Sequence, residues 1–258
     1  MVSLVLEGGT FRPIFSAGVM DALLDNNIIF PYCIGVSAGI TNGFSYFSNQ
    51  KGRNIEILKK YRNDKRYLSL SNFFKCRSIF GLDFVFDELA NKLFPYDFNA
   101  LSNYKGKVLV GVTNANTGKT EYLDGKVKDE KYMALRATCA IPILFPAIKI
   151  NGNEKHLIVL TRPKSYRKTL GKSNKLASKI VGRKYPNLKD TFLSRHIKYN
   201  ETVKFCEELE KAGKAIIIRP NEDEAIESFE KDVTKLEEAY NYGYNACIKN
   251  LEKIKALF

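Results

Sequence analysis

Short apolar runs alternate along this chain with longer segments in which apolar residues recur every three or four positions. The short runs predict strands at 2–6, 28–36, 107–113, 121–123, 147–150, 156–160 and 214–219. The periodic segments predict helices at 14–26, 38–50, 53–65, 132–139, 200–212 and 231–258. Strands that alternate with helices are typical of an α/β fold with a mostly parallel sheet.

No linker rich in Pro, Gly or Ser interrupts this pattern, so we expect one domain over 1–258. Within it, 53–100 is a candidate cap-like insertion and 231–258 a C-terminal helix. The stretch 67–86 is rich in aromatic residues and suits either a lipid-facing wall or ordinary packing against the sheet. The basic, weakly patterned stretch 164–189 is either a mobile surface loop or a patch that faces an anion.

Two glycine-rich turns follow the first two predicted strands. The first contains Gly8 and Gly9, and the second, 35–39, has the pattern G-x-S-x-G with its serine at Ser37. This pattern between a strand and a helix is typical of a nucleophile elbow, a strained turn that exposes the serine hydroxyl. The helix start behind the elbow and the backbone N–H groups of the first turn can stabilise an oxyanion. The turns therefore predict a serine acyl hydrolase whose nucleophile is Ser37.

Two other interpretations of these turns stay open. In a purely structural one, Gly35 and Gly39 only allow a strand and a helix to pack tightly, and Ser37 is the N-cap of the helix. A nucleotide-phosphate binder that uses Gly8 and Gly9 is the weaker alternative. It is weaker because the chain lacks both the G-x-G-x-x-G spacing and the P-loop lysine.

The chain is strongly basic. It has 41 Lys and Arg residues against 28 Asp and Glu residues, a net charge of +13 and a pI near 9.4. Such a balance favours an anionic partner such as a lipid surface, or it reflects a solvated lysine-rich surface. No DNA- or RNA-binding motif accompanies the charge, so we expect no nucleic-acid partner but do consider peripheral contact with an anionic membrane.

Several features indicate a cytoplasmic protein. The start of the chain has the pattern of a strand rather than of a signal peptide, and no apolar stretch is long enough to span a membrane. The five cysteines are scattered without a C-x-x-C pair, which is typical of reduced thiols. Cys33 and Cys139 lie in apolar surroundings and are predicted core residues.

The two turns and several later segments resemble the bacterial branch of the patatin-like phospholipase family. Glu7-Gly8-Gly9 with Arg12 is similar to the family's oxyanion loop, and 35–39 is similar to its elbow. The further matching segments are 16–21, Ala140-Ile141-Pro142 with Phe145-Pro146, 160–163 and 199–201. The resemblance therefore covers nearly the whole chain.

This resemblance implies a three-layer α/β/α sandwich with a mostly parallel central sheet. It also implies hydrolysis of lipid or phospholipid acyl esters by a Ser–Asp dyad without histidine, and neither a cofactor nor a metal. The residues that match the family's oxyanion and substrate-binding positions are Gly8, Gly9, Thr10, Arg12 and Ala38.

The first turn departs mildly from the family pattern, because Thr10 and Pro13 stand where glycine is usual. Pro13 has no N–H to donate. The oxyanion donors are therefore expected to be the N–H groups of Gly9, Thr10 and Ala38. Arg12 either braces the turn or meets a phosphate.

The histidine content fits a Ser–Asp dyad independently of the resemblance. A Ser-His-Asp hydrolase needs a histidine late in the chain, usually on a loop after a strand. The chain has two histidines, His156 at the head of a predicted strand and His196 in a basic stretch. Neither position suits a catalytic base.

The Asp of the dyad is the serious departure from the family. Its Asp-Gly-Gly or Asp-Gly-Ala motif is expected near Gly152 and Asn153, yet no Asp lies between Asp129 and Asp190. In one interpretation the segment with the base belongs to the protein but is absent from this sequence. In another it is deleted, and the protein is a non-catalytic lipid- or anion-binding relative. In a third, Asp124 of the only Asp-Gly dipeptide substitutes, although its predicted hairpin position favours a turn role.

Overall fold

The computed structural model describes residues 2–69, 72, 80–126, 131–140 and 155–258. The predicted strand at 147–150 lies outside these residues. The junction of Gly152 with Asn153, where the resemblance places the catalytic Asp, lies outside them as well.

The strands form one six-stranded sheet that is parallel except at one edge. They are β1 Val2–Leu6, β2 Tyr32–Gly35, β3 Lys107–Thr113, β4 Thr120–Asp124, β5 Lys155–Val159 and β6 Ala215–Ile218. Their order across the sheet is β4-β3-β2-β1-β5-β6, and only β3 and β4 pair antiparallel. In the centre, Leu4 of β1 pairs with Cys33 of β2 and Leu157 of β5. The carboxyl ends of β1, β2, β5 and β6 therefore share one edge, the usual position of a ligand site in such sheets.

The helices connect the strands and follow the predicted order. They are α1 Ile14–Asp25, α2 Ser37–Phe47, α3 Arg53–Tyr61, α4 Phe98–Asn103, α5 Met133–Ala140, α6 Lys172–Lys184, α7 Pro186–Lys211, α8 Val233–Lys249 and α9 Leu251–Lys255. A π-helical segment, Phe84–Leu93, precedes α4. Within the described ranges, no helix combines the length and the apolar character needed to cross a bilayer.

Helices cover both faces of the sheet, which confirms the predicted three-layer α/β/α sandwich. Successive residues of a strand point to opposite faces. On one face, Leu4 and Leu6 of β1 belong to a large buried cluster with Phe15 of α1. On the other face, Val5 of β1 belongs to a second cluster with Cys206 of α7. The central strand is thus buried on both sides, as expected for a parallel sheet.

Three predicted segments differ from the observed structure. The stretch 164–189 is not a loop throughout, because it contains α6 and the start of α7. The segment predicted as one helix at 231–258 consists of α8 and α9, which Asn250 separates. α7 also begins well before the predicted helix at 200–212.

A pair of glycines lets α1 and α8 cross at very short distance. A Cβ on Gly18 would lie 2.0 Å from Tyr240 O, and a Cβ on Gly243 would lie 2.0 Å from Phe15 O. The Tyr240 hydroxyl also donates a hydrogen bond to Asp21 Oδ2 at 2.7 Å. Because α1 begins directly after the first glycine-rich turn, its packing against α8 fixes the position of the helix that follows this turn.

We expect Gly243→Ala to lower the melting temperature clearly. The added methyl group meets a backbone oxygen that cannot rotate away, so the two helices must separate. Overpacking of this kind destabilises by about 1–3 kcal/mol, or roughly 3–10 °C for a chain of this size. Asn245→Ala, at an exposed position of the same helix, is the matched control and should leave the melting temperature unchanged. Equal melting temperatures for the two variants would contradict the close crossing.

Candidate active site

The second glycine-rich turn holds Ser37 in a strained conformation at the carboxyl end of β2. The N-cap of α2 is Val36, which has an extended backbone, and Ser37 is the first residue of the helix with a φ of +51°. A positive φ is uncommon for residues other than glycine and persists only where the surroundings impose it. The structural interpretation of Ser37 as the N-cap is therefore wrong.

The first glycine-rich turn packs directly on this elbow. A Cβ on Gly8 would lie 2.9 Å from Val36 O and 3.0 Å from Ser37 Cβ. A Cβ on Gly39 would lie 2.4 Å from Glu7 O. The glycines therefore allow two backbone segments to approach each other more closely than any side chain permits.

Backbone N–H groups of both turns remain available beside Ser37. Within the described part of the chain, the N–H groups of Gly9, Thr10 and Ala38 have no hydrogen-bond acceptor. The Ser37 N–H, in contrast, donates to Thr138 Oγ1 at 2.9 Å. Unpaired N–H groups beside the nucleophile are a feature that an oxyanion site needs.

Thr138 of α5 fixes the elbow from behind. Its hydroxyl accepts the hydrogen bond of Ser37 N–H and donates to Gly111 O of β3 at 2.6 Å, and the residue is fully buried. The elbow is thereby tied to the neighbouring strand. Sequence reasoning missed this residue, because the bond spans 101 positions and no local pattern marks Thr138.

The Arg12 side chain braces the first turn. Its Nε donates to Thr161 Oγ1 at 3.2 Å, and its Nη1 donates to Ser228 Oγ. Thr10 in the same turn has a φ of +63°. Burial lowers the pKa of the Arg12 guanidinium, and the nearby negative charge of Glu7 opposes that shift. These hydrogen bonds support the bracing role, which is one of the two roles predicted for Arg12.

Glu7 is a buried carboxylate that joins three elements. Its Oε2 accepts the backbone N–H of Thr161 at 2.5 Å, and its Oε1 accepts the Tyr199 hydroxyl of α7 at 3.3 Å. Both oxygens are therefore engaged in holding the carboxyl ends of β1 and β5 together with α7. Glu7 stands directly after a buried strand and before two glycines. This position is the one sequence feature that could have indicated that Glu7 joins these elements.

Both glycine-rich turns line one cavity of about 850 Å³. One of its walls is apolar and includes Ile57, Leu58, Tyr67, Phe80, Phe86 and Leu89. Part of the aromatic stretch 67–86 thus faces the cavity. Phe84 packs instead in a buried cluster with Tyr61, so the described part of this stretch divides between residues that line the cavity and residues that pack in the core, while Phe73 and Phe74 lie outside the described residues.

The acids and bases considered from the sequence lie elsewhere. Among the described residues that line the cavity, Glu7 is the one carboxylate. Asp124 lines a separate cavity of about 280 Å³, and its Oδ1 accepts Lys126 N–H at 2.9 Å as a turn residue does. His156 Nδ1 is hydrogen-bonded to Ser3 Oγ at 2.6 Å, and neither His156 nor His196 lines the Ser37 cavity.

Cys139 is not simply a core residue, although Cys33 is fully buried as predicted. Cys139 is only partly buried, and it lines the cavity. Burial raises the pKa of its thiol, whereas hydrogen bonds with Thr41 and Ser37 oppose the shift. The thiol therefore lies next to the Ser37 hydroxyl.

Comparison with known families identifies the class of protein. A model described as patatin-like phospholipase matches residues 4–160, and one described as a domain of unknown function (DUF6363) matches residues 185–258. The first match spans more than half of the chain, so this protein belongs to the patatin-like phospholipase family. The resemblance inferred from the two turns is thereby confirmed.

Individual relatives are distant and longer. The chain is 28% identical over 93 residues to "Uncharacterized protein YjjU" of Escherichia coli (strain K12), which is 36% of this chain and 26% of that protein. Among solved structures, the fold of the present chain is similar to that of type III effector protein ExoU. The TM-score is 0.49 and the identity 12%, and the match covers 97% of this chain and 52% of the ExoU chain. For VipD from Legionella pneumophila the TM-score is 0.46, the identity 13% and the coverage 98% and 66%. The chain thus spans about half of the ExoU chain.

Proposed function

We propose that this protein is a serine acyl hydrolase that cleaves acyl esters of lipids, with Ser37 as the nucleophile. The observation that carries the proposal is the strained Ser37, with a φ of +51°, beside N–H groups that have no acceptor among the described residues. Membership of a family of phospholipases supports the same reaction and substrate class.

In this reaction Ser37 Oγ attacks the acyl carbonyl carbon and its proton passes to a base. The N–H groups of Gly9, Thr10 and Ala38 hold the negative oxygen of the tetrahedral intermediate, each such donor contributing about 2.7–4 kcal/mol. The intermediate expels the alcohol, which takes up a proton, and water then releases the fatty acid from the acyl-enzyme. The family resemblance implies that the base is an Asp near Gly152 and Asn153, but the sequence contains no Asp between Asp129 and Asp190, so the base is the one part of this reaction that no residue named here supplies.

The apolar wall supplies a place for the acyl chain. Tyr67, Phe80 and Phe86 line the same cavity as Ser37, together with aliphatic side chains. Burying a methylene group contributes about 0.8 kcal/mol, so a wall of this kind favours long acyl chains over short ones.

A non-catalytic lipid-binding protein is the second candidate. One observation favours it. In the described ranges Glu7 is the one carboxylate that lines the cavity, and both of its oxygens already accept hydrogen bonds, so this carboxylate is not free to act as the base. Such a protein would keep the fold, the cavity and the oxyanion turn but would not turn over substrate.

Peripheral contact with an anionic membrane is part of the proposal. The helix α6 exposes Leu176 and Ile180, which are 59% and 61% accessible and lie one helical turn apart. Lysines at Lys172, Lys175 and Lys179 surround them. Exposed apolar side chains flanked by lysine are typical of helices that lie on anionic bilayers.

One experiment separates the two candidates. The purified protein is given a nitrophenyl ester to measure turnover and is floated with anionic and neutral vesicles to measure binding. Saturable turnover supports the hydrolase. Binding to anionic vesicles without turnover of any ester supports the non-catalytic alternative.

A further inference from the structure

Besides its apolar wall, the Ser37 cavity has a cationic wall built from separate parts of the chain. Arg12 comes from the turn after β1, Arg162 and Lys168 from the segment after β5, and Arg195 from α7. All of them line the cavity together with Ser37. The basic stretch 164–189 thus contributes Lys168 to the cavity while most of its lysines stay on the surface.

Carboxylates of the described residues do not neutralise these cations by direct pairing. Within the described part of the chain, none of them forms an ion pair, and the oxygens of Glu7 are occupied by Thr161 and Tyr199. Arg195 Nε is buried and has no hydrogen-bond partner among the described residues. Arg53, the other cation of the lining, donates to Phe94 O at 3.0 Å, and Arg12 donates to Thr161 Oγ1, so these two guanidinium groups already have protein acceptors.

Two of the cations instead rest on aromatic rings. The Arg162 guanidinium lies 4.6 Å from the centre of the Tyr166 ring, and Lys168 Nζ lies 4.7 Å from the centre of the Tyr199 ring. Cation–π contacts of this kind orient the charges without neutralising them.

The electrostatics agree with an uncompensated positive wall. The pKa of Lys168 is lowered to about 8, first by burial and then by the positive charges of Arg195 and Arg12, while Glu7 acts in the opposite direction. Burial also lowers the pKa of Arg195. Buried charge without a partner is unfavourable, and a bound anion is what removes that penalty.

We propose that Arg162, Lys168 and Arg195, together with Arg12, form a subsite for a terminal phosphate on the substrate. This rests on the proposed function and names its substrate class: acyl esters whose head group is a phosphomonoester. Such a group carries about −1.5 to −2 charges and presents several acceptor oxygens, which suits converging guanidinium and ammonium groups. A choline head group would bring a further positive charge to a wall that is already positive.

Binding to a catalytically silent protein tests the subsite independently of hydrolysis. In the Ser37→Ala background, we expect lysophosphatidate to bind at least about tenfold more tightly than lysophosphatidylcholine with the same acyl chain, below micelle concentrations. Arg195→Gln should remove most of that preference. Lys168→Met should weaken it as well and serves where Arg195→Gln fails to fold, as judged by its melting curve.

Arg167→Gln is the matched control for these substitutions. Arg167 lies in the same segment, is exposed, and donates to the backbone oxygens of Lys164 and Tyr166 rather than facing the cavity. It removes the same charge and should leave the head-group preference unchanged. A similar loss in Arg167→Gln would reduce the effect to overall charge and overturn the subsite.

Three further outcomes are decisive. Equal affinity for the two lysolipids overturns the subsite. Inorganic phosphate that binds as tightly as lysophosphatidate overturns the assignment to a lipid head group. A preserved preference in the Ser37→Ala background, with no ester hydrolysis by the unsubstituted protein, supports the subsite and overturns only the proposed hydrolase.

Discussion

Replacing Ser37 with alanine should abolish ester hydrolysis, with a loss of about three orders of magnitude or more in kcat. The Ser37 hydroxyl oxygen is the attacking atom, and the alanine side chain has no atom that can form the acyl-enzyme. Alanine keeps the Cβ atom and the backbone N–H that donates to Thr138, so the elbow should keep its conformation. The loss would then reflect chemistry rather than folding.

A fluorophosphonate probe gives the direct measurement for this variant. The unsubstituted protein should be labelled at Ser37 in a time-dependent way, and Ser37→Ala should not be labelled. Ser102→Ala, which removes an exposed hydroxyl from α4, is the control and should retain both labelling and turnover. Labelling that persists in Ser37→Ala would show that a different residue is the nucleophile.

The layered fold was predictable because the strands at its centre carry a strong local signal. β1 was predicted with its observed bounds, since all of its residues are apolar or small and all are buried. The strand β3 was predicted equally well. A buried parallel strand needs a continuous apolar run, and the two glycine-rich turns mark where such strands end.

The helices at the surface were harder to predict, because tertiary contacts rather than periodicity stabilise them. The helix α6 carries many lysines, and its apolar residues Leu176 and Ile180 are exposed, so its pattern lacks a clear buried face. It packs against α7, which itself holds Arg195 and Tyr199 in the cavity wall. Helix propensity and amphipathic pattern carry little information in such a case.

The candidate site also contains residues that a local pattern predicts and residues that it does not. The glycine-rich turns are contiguous in sequence, so Ser37 and the proposed oxyanion donors could be named from a local pattern. The residues that hold these turns come from distant positions, as with Arg12 and Ser228, which are 216 positions apart, or Glu7 and Tyr199, which are 192 apart. Contacts of this length leave no periodic trace in a single sequence and become visible only in the folded chain.

Replacing Gly8 with alanine should lower kcat about 10²–10³-fold while the protein stays folded. The new methyl group would lie 2.9 Å from Val36 O and 3.0 Å from Ser37 Cβ, so the first turn must move away from the elbow. That movement carries the N–H groups of Gly9 and Thr10 away from the point where the oxyanion forms.

A glycine far from the cavity provides the control for Gly8→Ala. Gly182→Ala adds the same methyl group in α6, where the nearest atom is the Cβ of Lys189 at 3.1 Å and the cavity is not reached. It should leave kcat unchanged. Because hydrogen bonds to the oxyanion act mainly in the transition state, Gly8→Ala should change KM far less than kcat. A Gly8→Ala protein with normal melting temperature and unchanged kcat would mean that the first turn does not contribute to the reaction, and the oxyanion role would pass to the helix α2 alone.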